Sequence, residues 1–158
     1  MLSLHSKKNT MGLTDKINDG IKDAMRAKEK QKLEALRAVK AALLMEATKS
    51  SDKAISEEAE MQILMRLHKQ RKESADIYQA QGRPELAEEE LFQAGIIEDY
   101  LPKQLSETEV DEKISSIIAE TGASGMKDMG KVMGRATAEM AGKADSKMIA
   151  SKVKQLLG

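Results

Sequence analysis

Apolar residues recur along most of this chain at intervals of three and four positions, which places them on one face of a helix. Leu33, Leu36, Val39 and Leu43 give the clearest stripe. No segment of useful length alternates apolar and polar residues at every second position, which is the pattern of a half-buried strand. The pattern therefore predicts an all-α protein.

Caps and helix breakers divide this pattern into seven predicted helices. They run from about Asp15 to Met25, Lys28 to Ala47, the Ser56 cap to Gln81, Pro84 to Leu101, the Ser106 cap to Thr121, Met126 to Met140, and Asp145 to Leu157. We expect the fourth helix to turn Leu86, Leu91, Ala94, Ile97 and Leu101 inward. Pro102 ends that helix, because proline has no backbone N–H to donate.

The start of the fifth helix has the strongest local signal in the chain. Ser106 and Glu109 are spaced as a capping box, and Leu105 and Val110 are spaced as the hydrophobic staple around it. A boundary at Pro102 is therefore predicted. We expect two small helical domains, a four-helix N-terminal unit over residues 11–102 and a three-helix C-terminal unit over residues 103–158.

Residues 1–10 are predicted to be a disordered leader or a tag, since Met11 offers a second possible start. No apolar run approaches the roughly 20 residues that span a bilayer, and the first ten residues lack the apolar core of a signal peptide. The chain has no cysteine, which excludes disulfides and thiolate metal sites and suits a reducing compartment. These features predict a cytoplasmic protein without a membrane partner.

Composition favours a core made from aliphatic and methionine side chains. Apolar residues make up 41 % of the 158 positions, aromatic residues only 2 %, and methionine occurs 11 times. Methionine has an unbranched side chain that fills irregular gaps, so its excess is more typical of core packing than of a binding groove.

Charge is balanced over the whole chain, with 26 basic and 26 acidic residues, but it is unevenly distributed. From Pro84 to Tyr100 there are six acidic residues and no Lys or Arg. From Met126 to the end there are seven basic and three acidic residues. Because attraction of an anion depends on the local patch, the C-terminal end is a candidate surface for a polyanion.

The candidate nucleic-acid contacts are the basic residues of the last two helices and their connection: Lys127, Lys131, Arg135, Lys143 and Lys147. Gly130, Gly134 and Ala138 recur at intervals of four beside them, and Gly142 lies in the turn before Asp145. The glycines could let a sugar-phosphate backbone approach closely. Close packing of Gly130 and Gly134 against a neighbouring helix is the other explanation, and both can hold at once, because Met129, Met133, Thr137 and Met140 offer an adjacent packing face. Asp145 is expected to cap the seventh helix.

Other charged positions suggest no chemistry. His5 and His68 are isolated, and Glu88, Glu89 and Glu90 are consecutive on a helix and point in different directions. We therefore expect no catalytic residue, no metal site and no cofactor. The segment from Lys22 to Lys40 carries seven basic and three acidic residues and is either a second basic face or an ordinary mixed-sign surface.

Several motifs together resemble the YqeY-like family. They are Ala35-Leu36-Arg37, Lys69-Gln70-Arg71-Lys72-Glu73-Ser74, Asp99-Tyr100-Leu101-Pro102-Lys103-Gln104-Leu105, the run from Met126 to Gly134, and Gly142-Lys143-Ala144-Asp145. The C-terminal part of that family is similar to the tail of the GatB subunit of tRNA-dependent amidotransferases. The resemblance implies a two-domain helical fold and a tRNA-associated adaptor. Members of that family are also described as carbon–nitrogen ligases with glutamine as amido donor, although no catalytic constellation is visible in this sequence.

Three hypotheses about function follow. The first is an accessory protein that binds tRNA through the basic C-terminal face. The second is a protein-interaction module whose acidic fourth helix and Met-rich surfaces dock a tRNA-handling enzyme. The third, and weakest, is amidotransferase activity by the chain itself.

Overall fold

The computed structural model describes residues 12–49 and 55–158. Every regular element in these ranges is helical, which confirms the predicted all-α class. The α-helices are α1 Leu13–Ala27, α2 Lys30–Lys49, α3 Glu57–Ala80, α4 Pro84–Glu98, α5 Glu107–Thr121, α6 Met129–Glu139 and α7 Ser146–Leu157, with a 3-10 turn at Met126–Asp128 before α6. The predicted leader over residues 1–10, including His5, lies outside the described residues.

The chain groups into two compact units, one up to Tyr100 and one from Leu101 onward. The N-terminal unit contains α1 to α4, and the C-terminal unit contains α5 to α7. That residues 11–102 and 103–158 behave as independent domains stays a prediction.

In the N-terminal unit, α3 and α4 form an antiparallel pair joined by a tight turn at Gly82. The pairing direction follows from two contacts, Arg71 with Glu90 at 3.3 Å and His68 with Glu98 at 3.4 Å. Helix α1 packs against α2, and α2 packs against α4. The largest buried side chains of this unit are those of Ile17, Leu36, Leu64 and Ile97.

Tyr100 comes close to the backbone of α1. A Cβ atom added to Gly20 would overlap the Tyr100 hydroxyl and would lie 3.0 Å from Cδ1 of Leu36. Burial raises the pKa of the Tyr100 phenol, and the carboxylates of Asp99 and Asp23 add to that effect. Glycine is therefore required at position 20 for close packing and not for its backbone conformation.

Helix α4 differs from its predicted form in two respects. It ends at Glu98 and not at Leu101, because the residue before a proline disfavours helical backbone and the chain turns ahead of Pro102. Leu91 was predicted to face inward but is 46 % exposed, whereas Ala87 is fully buried. The side of α4 that meets α3 and α2 is centred on Ala87, Ala94 and Ile97, and Leu91 lies beyond its edge.

In the C-terminal unit, three short helices enclose one core. The buried side chains come from all of them: Val110, Ile114, Ile117, Val132, Ala136, Met140, Ala144, Ile149, Val153 and Leu157. The predicted capping box is present, since Ser106 accepts from the Glu109 amide at 3.2 Å and Glu109 accepts from the Ser106 amide at 3.0 Å. Gly122 ends α5 in the left-handed region, at φ 65°.

Candidate nucleic-acid interface

The five candidate cations lie on consecutive parts of the C-terminal unit. Lys127 is in the 3-10 turn, Lys131 and Arg135 are on α6, Lys143 is in the connection to α7, and Lys147 is in the first turn of α7. All are exposed except Lys143, which is half-buried. The structure thus leaves these side chains accessible to solvent, as a phosphate contact requires.

Gly130 and Gly134 lie on the exposed side of α6. A Cβ atom added to either glycine would meet no atom within 4 Å. The alternative that these glycines allow close helix packing is therefore wrong within the described chain. The buried side of α6 is formed instead by Val132 and Ala136. Gly134, in the interior of α6, costs about 1 kcal/mol relative to alanine, and no contact in the described residues offsets that cost.

Arg135 already has two carboxylate partners. Its Nε donates to Oε2 of Glu139 at 2.8 Å, and its Nη2 contacts Oε2 of Glu120 on α5. Both carboxylates raise the pKa of the guanidinium above its usual value, Glu139 most strongly. Lys113 lies 3.9 Å from the other oxygen of Glu139. Arg135 therefore belongs to an ion-pair cluster between α5 and α6, and a phosphate would compete with that cluster.

Lys131 interacts with the end of α5. Its Nζ is 3.4 Å from the carbonyl oxygen of Thr121, which is the last residue of that helix. A cation at this position interacts favourably with the unpaired carbonyls and the negative end of the helix dipole. The contact is long and exposed, and no carboxylate competes for this ammonium group among the described residues.

Lys127, Lys143 and Lys147 make no ion pair with any residue in the described ranges. The backbone of Lys143 is fixed at both ends, because its carbonyl accepts from Leu105 at 2.9 Å and its amide donates to Met140 at 2.9 Å. The side chain of Asp145 accepts from the Lys147 amide at 3.4 Å, so the predicted N-cap is confirmed.

Gly142 has a conformational role. Its φ of 74° lies in the left-handed region, which side chains other than glycine rarely adopt. Its carbonyl accepts a hydrogen bond from Nε2 of Gln104 at 2.7 Å. This hydrogen bond and the one from the Leu105 amide to the Lys143 carbonyl hold the α6–α7 connection against the segment before α5.

Acidic residues of α5 offset part of the basic charge of the C-terminal unit. The prediction from sequence missed this, because it counted charged residues only from Met126 onward. The helix and its cap region carry five acids: Glu107, Glu109, Asp111, Glu112 and Glu120. Lys152 of α7 lies 3.0 Å from Asp111 and 4.0 Å from Glu107. The acids of the fifth predicted helix were visible in the sequence, but their partners on α6 and α7 were not.

The second basic segment, from Lys22 to Lys40, has the mixed-sign character of an ordinary surface. Arg26 pairs with Asp23 at 3.7 Å, and Lys32 pairs with Glu29 at 3.9 Å. Over residues 12–49 and 55–158, no helix is long and apolar enough to cross a membrane, and no group of three or more potential ligands is placed to hold a metal ion.

Comparison with known proteins assigns the chain to a family. A family model described as Yqey-like protein matches residues 14–157. Altered inheritance of mitochondria protein 41, mitochondrial, from Pyrenophora tritici-repentis (strain Pt-1C-BFP), is 28 % identical over 141 residues. The alignment covers 87 % of this chain and 77 % of the relative. The match extends over the helices of both units, except Leu13 at the start of α1.

Proposed function

The chain belongs to the YqeY-like family, and we propose that it is a tRNA-associated accessory protein that binds tRNA through the basic surface of its C-terminal unit. We define this surface by Lys127, Lys131, Lys143 and Lys147, with Arg135 at its edge. The name of the fungal relative refers to mitochondria, so the cytoplasmic location predicted from the sequence stays a prediction.

One observation carries the proposal. Four lysines of the surface have no carboxylate partner among the described residues: Lys127, Lys131, Lys143 and Lys147. The first two are close along the chain to Gly130, above which the space is open. Ammonium groups near an exposed glycine can accept a sugar-phosphate chain, since the phosphates bind the cations and the glycine presents no side chain to collide with.

The resemblance to the amidotransferase tail favours tRNA among polyanions. Contacts to phosphate position a nucleic acid without reading its bases, so this surface accounts for affinity and not for selection of a particular tRNA. We expect Arg135 to contribute less than the lysines, because it must first leave Glu120 and Glu139.

A salt titration tests the proposal. Binding of bulk tRNA is measured at several salt concentrations for the natural protein and for Lys127→Gln and Lys143→Gln. Each substitution is expected to weaken binding and to reduce the slope of log affinity against log salt by roughly 0.7 to 0.9, the contribution of one neutralised phosphate. Lys72→Gln, an exposed cation of α3, is the matched control and should leave the slope unchanged.

Two results would contradict the proposal. One is a salt slope that stays the same in Lys127→Gln and Lys143→Gln while helicity and melting temperature are intact. The other is equal loss in the Lys72→Gln control, which would mean that only overall charge matters.

We further propose that the isolated chain forms no amide bond on a charged tRNA. The described residues contain no metal-ligand group, and the two histidines of the sequence are far apart along the chain. Product formation from glutamine, ATP and misacylated tRNA, above a blank without protein, would overturn this part of the proposal.

A further inference from the structure

Helix α4 leaves large apolar side chains in solvent on the side that faces away from α3 and α2. Phe92, the only phenylalanine in the chain, is 52 % exposed, and Leu91 is 46 % exposed. Single exposed apolar residues are common, but these two neighbours occupy the same helix as the densest run of acidic residues. The exposed side of α4 is therefore not an ordinary solvated face.

A glycine lies between these side chains on the helix surface. Gly95 follows Leu91 by four residues and Phe92 by three, so all three are neighbours on one face. A Cβ atom on Gly95 would meet nothing within 4 Å. A glycine in a helix interior costs about 1 kcal/mol relative to alanine, and here no contact within the described chain explains it. It creates a notch flanked by Leu91 and Phe92.

Carboxylates that have no ion-pair partner among the described residues precede this notch along α4. Glu85, Glu88 and Glu89 are exposed and make no ion pair in the described residues, whereas Glu90 turns towards α3 and pairs with Arg71 at 3.3 Å. Helix α4 contains no Lys or Arg. The acids continue the exposed face along the first half of the helix, because Glu88 lies three residues after Glu85 and Phe92 lies three residues after Glu89.

We propose that this acidic apolar face of α4, defined by Glu85, Glu88, Glu89, Leu91, Phe92 and Gly95, docks a basic amphipathic helix of a partner protein. The partner's apolar stripe covers Leu91 and Phe92, its backbone approaches α4 at Gly95, and its Lys or Arg side chains pair with the three glutamates. The inference is independent of tRNA binding by the C-terminal unit.

The unpaired glutamates exclude polyanionic partners from this face. Phosphates of a nucleic acid or of an anionic membrane would be repelled by three unpaired carboxylates, since like charges brought together across an interface are strongly unfavourable. An apolar stripe alone would suit many partners, but the glutamates select a cationic one. Because α4 has 15 residues and is therefore about 22 Å long, the contact is small and suited to a transient complex.

A pair of synthetic peptides tests the docking face on the full-length protein. The first is an 18-residue helical peptide with a leucine stripe flanked by lysines, at roughly the length of α4 plus one turn. The second replaces every lysine by glutamate. We expect saturable binding of the basic peptide, with amide NMR shifts concentrated on residues 85–95, and at least about a ten-fold lower affinity for the acidic peptide.

Gly95→Ala distinguishes a docking notch from an ordinary surface position. The substitution should raise the melting temperature, because alanine favours the helix and meets no atom of the protein. It should nevertheless weaken the basic peptide about ten-fold by blocking backbone approach. Phe92→Ser should weaken it similarly, whereas Leu156→Ser, which removes a 43 % exposed side chain from α7, should have no effect.

The carboxylates have their own matched control. Glu88→Gln with Glu89→Gln should reduce affinity for the basic peptide and flatten its salt dependence, whereas Glu73→Gln with Asp76→Asn on the exposed side of α3 should do neither. The proposal is overturned if the two peptides bind equally, if no saturable binding is found, or if Gly95→Ala raises stability without lowering affinity. Self-association that is lost in Phe92→Ser would assign the face to a second copy of this chain and would also overturn it.

Discussion

Exposed apolar side chains are divided unevenly between the two units. In the N-terminal unit the large ones are Met25, Leu44, Met45, Ile77, Leu91 and Phe92, whereas in the C-terminal unit they are only Met126 and Leu156 among the described residues. Helices α2 and α4 carry apolar residues on more than one side, so packing one side leaves another in solvent. The helices of the C-terminal unit each bury a single stripe in one common core.

The two units also differ in the sign of the charged side chains that remain unpaired. The C-terminal unit joins its helices by ion pairs, Arg135 with Glu120 and Lys152 with Asp111, and leaves several lysines over. The N-terminal unit leaves carboxylates over on α4. The two units, although both helical, therefore differ in surface: the C-terminal unit leaves lysines without a carboxylate partner among the described residues, and α4 leaves carboxylates beside exposed apolar side chains.

The strongest test of this comparison is to separate the two units. A fragment of residues 11–102 should keep its helicity and melt cooperatively by circular dichroism, because its core side chains all come from α1 to α4. A fragment with a broad, non-cooperative transition would mean that the two units depend on each other for folding, and the comparison between them would then lose its basis.

Core truncation should sharpen the contrast in packing. Met140 is fully buried in the C-terminal core, so Met140→Ala should cost about 2–5 kcal/mol of unfolding free energy through lost contacts and a cavity. Met45 in α2 is 61 % exposed, and Met45→Ala should change the unfolding free energy by less than about 0.5 kcal/mol. Urea denaturation measures both, and similar losses would show that Met45 is packed in solution.

Gly20→Ala in the N-terminal unit and Gly134→Ala in the C-terminal unit should change stability in opposite directions. Gly20→Ala should destabilise the protein by about 1–3 kcal/mol, because the new methyl group meets the Tyr100 hydroxyl and Leu36. Gly134→Ala should stabilise it by up to about 1 kcal/mol, because the space above Gly134 is open. Adding Tyr100→Phe should recover part of the Gly20→Ala loss, and an absence of recovery would argue against the Tyr100 contact.

Substitutions of Glu109 and Glu60 should have the smallest effects on stability, again with opposite signs. Hydrogen bonds from Ser106 lower the pKa of Glu109 from 4.5, so its ionised form stabilises the fold above that value and the gain is lost as pH falls through the lowered pKa. Burial raises the pKa of Glu60 from 4.5, so the stability contribution of its protonated form is lost as pH rises through the raised pKa.

At pH 7, Glu109→Gln should therefore lower the melting temperature and Glu60→Gln should raise it. Both differences should shrink as the pH is lowered below 4.5, where each carboxyl becomes protonated in the unfolded chain. Melting curves at pH 7 and pH 3 measure this, and equal shifts at both values would mean that proton binding is not the cause.

Local signals in the sequence predicted most of the helices. The Ser106 and Glu109 capping box, the Asp145 cap and the Pro84 start involve residues within four positions of each other, so no distant part of the chain is needed to interpret them. The end of α4 was wrong by three residues, because the turn at Asp99 and Tyr100 precedes the proline that was taken as the stop. The predicted start of α6 at Met126 was also wrong, because Met126–Asp128 form a 3-10 turn and the α-helix begins at Met129. The residue spacing of such a turn is similar to that of a first helical turn.

The candidate surfaces depended more on tertiary structure. The sequence identified the five basic residues, but it could not show that Arg135 meets Glu120 fifteen positions away. It offered two explanations for Gly130 and Gly134, and only the absence of a neighbour in the folded unit excluded packing. The site assignment itself stays a prediction until tRNA binding is measured.

By itself, then, the sequence determined the fold class, the family and the position of most helix ends, since these depend on periodicity, caps and motifs that lie close together along the chain. Only the tertiary structure decided which side of an ambiguous helix is covered and which charges find a partner. Leu91 and Arg135 illustrate the reason: burial and ion pairing depend on residues that are distant in sequence, and the spacing of a single helix does not contain that information.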